Sequence, residues 1–502
     1  MTRNYIKTGI LCVALAGGVA GCKKFLDQPI AGAYPESDFY KTDEEATQAT
    51  TAIYDMMTAH YMGDWGSLYM IKMLLSDESN AGGSSSGDQP GYQQLDDYTH
   101  SASNVMVERA WKMTYASIYR ANKVITKVEA STPLRTRLIA EAKVLRAYNY
   151  LELVSLWGDV PLVLSDVAPS QFTSTGRAPK AEVYAQIEKD LTEAAAVLPL
   201  RSGYSGNDRF RVTKGTAQAL LGKALLYQKK WAEAATQFET VITSGQYNLE
   251  PSIGKAFSVN GEFGDESLFE ISYTNQRAYN GDFPWGSAPE SNIHIQLMGP
   301  RSEQYTKAPA DSLLGGWGFN RPRQKLWDAF IAAGDVNRRR ATLMSEQELE
   351  AAGGNWRDEP TWDYEGFFQR KYGSFQTATN GSDVATNYGT NWRWLRFADV
   401  LLMAAEANLQ AGNAPKALTY VNMVRQRSAT ALPALGTVTM NDIVRERQLE
   451  LAFEGFRYVD LVRWGLAVQE LGALGFQANK HELLPIPDYD RRTGGLSQNP
   501  GY

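Results

Sequence analysis

Gly215-Thr-Ala-Gln-Ala-Leu-Leu-Gly-Lys-Ala-Leu-Leu-Tyr-Gln-Lys229, followed after Lys230 by Trp231-Ala-Glu-Ala-Ala-Thr-Gln-Phe-Glu-Thr-Val-Ile-Thr-Ser244, is the stretch that decides the fold class. In the first half Leu220, Leu221, Ala224 and Leu225 recur at spacings of three and four. In the second Ala234, Ala235, Phe238, Val241 and Ile242 do the same, so each half presents one apolar helix face. One short turn joins them, which makes the two helices antiparallel neighbours.

With alanines at the close-contact positions, a tryptophan at the turn and a phenylalanine in the second helix, this pair resembles a tetratricopeptide repeat. A second pair follows at Phe397 to Gln410 and Pro415 to Arg427, linked by Ala411-Gly412-Asn413. Upstream, Ala110 to Glu129 carries Ile118, Ala121, Val124, Ile125 and Val128 on one face. Arg137 to Leu156 repeats the pattern and stops at Trp157-Gly158-Asp159, ahead of Pro161. A first helix is expected near Glu44 to His60. Because the pairs are scattered and not tandem, the expected fold is mainly α: a tetratricopeptide-like helix-pair scaffold with a loop-rich ligand-binding part, not a regular solenoid. The two long insertions fall near residues 76–104 and 273–383, and loops of such length on a rigid scaffold commonly carry function.

The N-terminus fixes the compartment. Arg3 and Lys7 precede an apolar run, Ile10 to Val19, too short to span a bilayer, which closes on Val19-Ala20-Gly21-Cys22. A small-residue box abutting a cysteine is what lipoprotein processing requires, so residues 1–21 read as a removed signal peptide and Cys22 as the lipidated first residue. Residues 22–45 then form a Pro- and Gly-containing tether and 46–502 a single domain. Buried acyl chains contribute about 0.8 kcal/mol per methylene, so two or three of them give a stable anchor. The other cysteine, Cys12, lies in the removed segment, which leaves no disulfide or thiolate metal site. The net charge of −6 becomes −8 once Arg3 and Lys7 are removed, with both signs interspersed; nucleic acid is not an expected partner. The 26 tyrosines and 12 tryptophans instead supply flat amphipathic surfaces of the kind sugars and peptides use.

Several segments in order resemble the SusD/RagB-like nutrient-binding lipoproteins of the Bacteroidetes outer membrane, over essentially the whole chain. They are Cys22-Lys-Lys-Phe-Leu-Asp27; Trp111, Tyr115, Ile118 and Asn122; Arg146-Ala-Tyr-Asn-Tyr150 leading to Trp157-Gly-Asp-Val-Pro-Leu162; Gly315-Gly-Trp-Gly318; and Arg396-Phe-Ala-Asp-Val-Leu-Leu-Met-Ala-Ala-Glu-Ala407. The series continues with Glu446-Arg447, Glu450-Leu-Ala-Phe-Glu-Gly-Phe-Arg457, Asp460-Leu-Val-Arg-Trp-Gly465, Leu484-Pro-Ile-Pro487 and Gln498-Asn-Pro-Gly-Tyr502. The resemblance implies four tetratricopeptide-like helix pairs packed with a loop-rich part. It also implies a non-catalytic, cell-surface glycan-binding role and a partner, a SusC-like TonB-dependent transporter in the same outer membrane. Oligopeptide capture, as in RagB-like members, is the competing ligand class, and a surface glycosidase a remoter one.

Candidate chemistry is sparse. Glu446, Glu450 and Glu454 lie on one helix stripe, with Arg445, Arg447, Arg457 and Arg463 close by in sequence, and read as internal ion pairs. Gly83-Ser84-Ser85-Ser86-Gly87 matches a nucleophile elbow, but Ser85 sits in a Gly/Ser/Asp loop and no histidine is near. His60, His100, His294 and His481 are isolated in sequence, so a zinc site is not expected. Asp77 to Asn80 offers oxygens that calcium favours, without EF-hand spacing. No cofactor is expected beyond the lipid on Cys22. A glycosidase would need two carboxylates flanking a cleft, and Asp363 and Glu365 are the nearest pair in an aromatic loop.

Glycan recognition needs aromatic faces with polar groups beside them. Trp285, in Tyr279-Asn-Gly-Asp-Phe-Pro-Trp-Gly286, leads the candidates, with Tyr279, Arg277 and Asn280 alongside. Trp65 and Tyr92 are expected on an opposite wall, and Trp317 in Gly315-Gly-Trp-Gly318 is a further candidate. Trp111, Trp157, Trp392, Trp394 and Trp464 are assigned to packing.

Overall fold

The computed structural model describes residues 39–59, 66–167, 175–276, 291–357, 361–380, 384 and 387–502. Cys22, with the expected signal peptide and most of the expected tether, lies outside them. Numbered along the chain, the helices used below are α1 (Asp43–Ala59), α2 (Pro90–Asp96), α3 (Val105–Lys127), α4 (Pro133–Trp157), α5 (Lys180–Val197), α6 (Lys214–Tyr227), α7 (Trp231–Thr243), α8 (Gln324–Ala333), α9 (Phe397–Gln410), α10 (Ala414–Arg425) and α11 (Met440–Glu450).

Eight of these build one continuous array: α1 packs on α3 and α4, α4 on α5, α5 on α6, α6 on α7, α7 on α9 and α9 on α10. The two pairs that are far apart in sequence are therefore stacked in space, and the long insertion between them loops out and returns. Local chemistry sets each boundary. Thr213 and Thr216 form a reciprocal capping box at the start of α6, Asn104 accepts from the amides of Met106 and Val107 at α3, and Thr132 caps α4 with Pro133 at its first position. Gly222 is the point where α6 and α7 approach: a Cβ there would lie 2.6 Å from Cε1 of the buried Phe238.

The insertions are not plain loops. Short strands β1 (Ser79–Gly82), β2 (Ser267–Ile271), β3 (Phe319–Pro322), β4 (Leu343–Ser345), β5 (Phe367–Gln369) and β6 (Trp392–Arg396) pair antiparallel as β1 with β3, β2 with β6 and β4 with β5. The β1–β3 register sets Asn80 opposite Arg321 and Gly82 opposite Phe319, which ties the first insertion to the second. One large core runs from Ala46 to Leu496, and a small satellite cluster of Tyr305, Leu313, Met344, Leu349, Trp356 and Phe368 lies under the second insertion. Trp111 and Trp157 meet edge to face in the main core, and Trp392 stacks on Tyr372 with ring centres 4.1 Å apart.

Glu446, Glu450 and Glu454 are structural, but α11 ends at Glu450 and leaves Glu454 beyond the helix, and the partners of all three differ from those expected. Glu446 receives Arg338 and Arg425, Glu450 receives Arg338, Arg396 and Arg427, and Glu454 receives Arg396 and Lys371. The sequence neighbours go elsewhere: Arg447 to Asp399 and Asp460, Arg457 to Asp77, and Arg463 to Glu406 and Asp460. A buried carboxylate takes whichever cation the fold delivers, and here the fold delivers remote ones.

Candidate functional site

The β1–β3 ribbon, α2 and the 361–369 segment converge on one face. Among the described residues Trp362 is the one exposed tryptophan, at 39 %. Its indole Nε1 donates to Gln93 Oε1 at 3.0 Å, and the Gln93 amide in turn donates to the carbonyls of Gly82 and Asp88. The ring is thus presented to solvent and held in place. Around it lie polar groups: Asn80 Nδ2 donates to Glu365 at 2.8 Å, Ser84 donates through its amide and hydroxyl to Asp88, and Arg301 reaches the Trp317 carbonyl at 3.0 Å. Beneath, the Arg321 guanidinium lies 5.6 Å from the centre of the Tyr364 ring, and Tyr364 packs 4.5 Å from Trp356.

The backbone of this face is unusual. Gln89, Asn320 and Asp363 adopt positive φ of 49°, 51° and 49°, a region costly for residues with a Cβ, and such strain concentrates at ligand clamps. Gly82 and Gly318 also have positive φ, and a Cβ on Gly82 would lie 2.3 Å from the Gly318 carbonyl oxygen. The electrostatics are those of a partly desolvated surface. Burial pushes Asp96 up to about 6 despite its pairing with Arg323, burial likewise raises Asp363, and burial lowers Arg321 to about 10. Such a face stacks a ring and exchanges hydrogen bonds with hydroxyls.

The expected site residues meet different fates. Trp285, Tyr279, Arg277, Asn280 and Trp65 lie outside the described residues. The chain flanking them does come together: Tyr273 Oη donates to the Thr58 carbonyl at 3.4 Å, and Asn387 Nδ2 donates to the Asn275 carbonyl at 3.0 Å. Tyr92 is a correction. It is fully buried, edge to face with Phe319, because α2 is enclosed on that side by β3; its neighbour Gln93 is buried too, and serves the face by holding the Trp362 indole. Trp317 is half-buried against the main core, with its amide donating to the Gln296 carbonyl.

Glu365, of the Asp363 and Glu365 pair that a glycosidase would have needed, is engaged structurally. One of its oxygens accepts from Asn80, and the other from the Gln324 amide that opens α8, at 2.6 Å, so this carboxylate fastens a helix to a strand. Asp77, whose oxygens are of the kind calcium favours, is taken by Arg457 and Lys325, and Glu78 accepts from the Phe453 amide. The Ser85 hydroxyl accepts from the Gly87 amide in a turn. His100 and His481, remote in sequence, do form a close pair, with rings 5.3 Å apart beside Tyr98 and Tyr502. Trp362 was missed by sequence reading. Its signal was its place in Thr361-Trp-Asp-Tyr-Glu-Gly366, a tryptophan flanked by turn-forming polar residues.

Comparison with known proteins matches this architecture. Residues 337–482 match the model described as the SusD family, and residues 19–226 the one described as starch-binding, associating with outer membrane. SusD-like protein P2 of Formosa agariphila is 27 % identical, aligned over 99 % of this chain and 100 % of its own. A solved laminarin-binding SusD-like protein superposes with a TM-score of 0.84 at 34 % identity, covering 92 % of this chain and 100 % of that one. Surface glycan-binding protein A from Bacteroides thetaiotaomicron, solved in complex with laminarihexaose, gives 0.80 at 25 % identity over 91 % of this chain and 100 % of that chain. Since a SusD-like relative 34 % identical superposes over its whole length and over 92 % of this chain, the chain belongs to the SusD family.

Proposed function

We propose that the protein binds a neutral glucan of the laminarin type at the outer-membrane surface without cleaving it. It holds the ligand on the Trp362 face and passes it to a SusC-like TonB-dependent transporter, while a lipid on Cys22 keeps it at the membrane. The observation that carries this reading is the indole of Trp362, the one exposed tryptophan among the described residues, fixed by Gln93 among amides, hydroxyls and carboxylates. A sugar ring lays its C–H face on such an indole while its hydroxyls replace water on the accessible Ser84, Asp88 and Glu365. The laminarin-binding relatives support the ligand class. Lack of hydrolysis is in keeping with the engagement of Glu365 in holding α8 and of the Ser85 hydroxyl with the Gly87 amide. Trp285, Tyr279, Arg277, Asn280, Trp65 and Trp317 are proposed to extend the surface from the neighbouring segments.

Affinity electrophoresis through gels containing laminarin, starch or no polysaccharide tests the reading. Retardation by laminarin, reduced in both Trp362→Ala and Trp285→Ala, is expected. Retardation unchanged in Trp362→Ala would remove the site, and binding of a peptide pool with none of the glucans would replace the ligand class by oligopeptide.

A further inference from the structure

A second cavity lies away from the Trp362 face and shares none of its residues. The 201–213 connection between α5 and α6, the residues after α7 and strand β2 enclose a cleft of about 330 Å³, within the range of small-ligand sites and able to hold one sugar ring. Its walls include Arg201, Tyr204, Arg209, Phe210, Arg211 and Gln246.

The hydrogen-bonding capacity left over in this cleft is almost all of one kind. Arg211 is 94 % buried, its relative exposure being 6 %. Its Nε donates to Asp208 at 2.6 Å and its Nη1 to Glu141 at 2.9 Å, while within the described residues Nη2 has no partner. Gln246 spends its oxygen on the Ser202 amide at 2.9 Å and keeps its NH2 group. Arg209 is exposed and makes no ion pair among the described residues. The acceptor in the wall is already used: Glu270 takes the Phe263 amide at 2.9 Å and Asn391 Nδ2 at 3.0 Å. A set of unspent guanidinium and amide donors, with the local carboxylate occupied, selects a ligand rich in acceptors.

The remaining surface is aromatic. Phe210 has the Arg211 guanidinium 4.9 Å from its ring centre and Tyr204 has that of Arg137 at 5.3 Å, so each ring is braced by a cation. Phe263 holds a positive φ of 50° at the rim. We infer that this cleft is a separate binding site for an acidic sugar, whose carboxylate meets Arg209, Arg211 Nη2 and the Gln246 amide while its ring lies against Phe210 and Tyr204. The protein would then carry two sites of different chemistry, one for neutral glucan and one for a uronate.

Isothermal titration of the full mature chain at low ionic strength with sodium glucuronate, glucose and sodium sulfate tests this. Saturable binding of glucuronate, weakened by added salt, is expected, with no heat from glucose and sulfate at least tenfold weaker. Arg209→Ala should weaken glucuronate at least fivefold, and Ser202→Trp, which fills the cleft from its exposed rim, should abolish binding. Both should keep the wild-type melting temperature and laminarin retardation, and Gln246→Ala serves as the second variant if Ser202→Trp misfolds. Absence of glucuronate binding, or its persistence in Ser202→Trp or, should that variant misfold, in Gln246→Ala, overturns the site. Equal binding of glucose or sulfate overturns the ligand assignment. Loss of glucuronate binding in Trp362→Ala would move the anion to the other face and also overturn the proposal.

Discussion

Glu450→Gln is expected to cost the fold about 3 to 5 kcal/mol, the penalty for leaving a buried charge without its partner. Glu450 is fully buried at the end of α11, where Oε1 accepts from Arg396 at 2.7 Å and Arg427 at 2.8 Å and Oε2 from Arg338 at 3.0 Å. The surrounding network sets Arg338, Arg396, Arg425, Arg427 and Lys371 against Glu266, Glu446, Glu450, Glu454 and Asp335, so five cations meet five carboxylates. Neutralising one carboxylate leaves a guanidinium uncompensated and turns an amide NH2 toward it. For a chain of this length the unfolding entropy is about 1 kcal/mol per degree, which converts the loss to a melting temperature roughly 3 to 5 °C lower. Burial alone would raise the Glu450 pKa, but Arg427, Arg396 and Arg338 outweigh it and hold the carboxyl well below the usual range. Its contribution is therefore present above about pH 4.5, the ordinary glutamate range, and lost as pH falls below it. Scanning calorimetry of both proteins at pH 7 and pH 4 measures this. A difference under about 1 °C at pH 7 would refute the account of the network as a set of mutually dependent charges.

Tyr92→Ala should destabilise by about 3 to 5 kcal/mol in urea titration while laminarin affinity stays within twofold, since the ring is buried against Phe319; a large affinity loss in a stable variant would restore it to the site. Gly222→Ala should cost about 1 to 3 kcal/mol by forcing a methyl against Phe238, and a neutral result would show that α6 and α7 can separate. Burial pushes His100 down to about 3 and His481 to about 4, so from near pH 6.5 downward the unfolded chain binds protons the folded one refuses. Stability should accordingly fall as pH drops from about 6.5 to 4. In the double variant His100→Asn, His481→Asn the urea midpoint should fall less steeply, and parallel curves would contradict the assignment.

The helical half was legible because its information is local. Spacing of three and four on α6, α7, α9 and α10, with Pro, Asn and Thr at the boundaries, specifies each helix without reference to the rest. What spacing does not encode is which helices are neighbours, and only the contact of α7 with α9 shows that two distant pairs form one array. The site was less legible because it is made by pairing. Asn80 meets Glu365, and Gln93 meets Trp362, across 285 and 269 residues of sequence. Tyr92 and Gln93 are both buried on a two-turn helix, too short for periodicity to show that neither faces solvent. The three glutamates show the same limit, since their structural role was readable but their cations come from segments folded in from elsewhere.

The most direct test of the central claim is titration of the mature protein with laminarihexaose, beside Trp362→Ala, followed by chromatography of the sugar after prolonged incubation. The account predicts saturable binding by the wild type, at least tenfold weaker in a Trp362→Ala protein of unchanged melting temperature, since truncating a central aromatic anchor costs about 2 kcal/mol or more. The recovered sugar should be intact hexaose. Equal affinity in the variant, or appearance of shorter oligosaccharides, would contradict it.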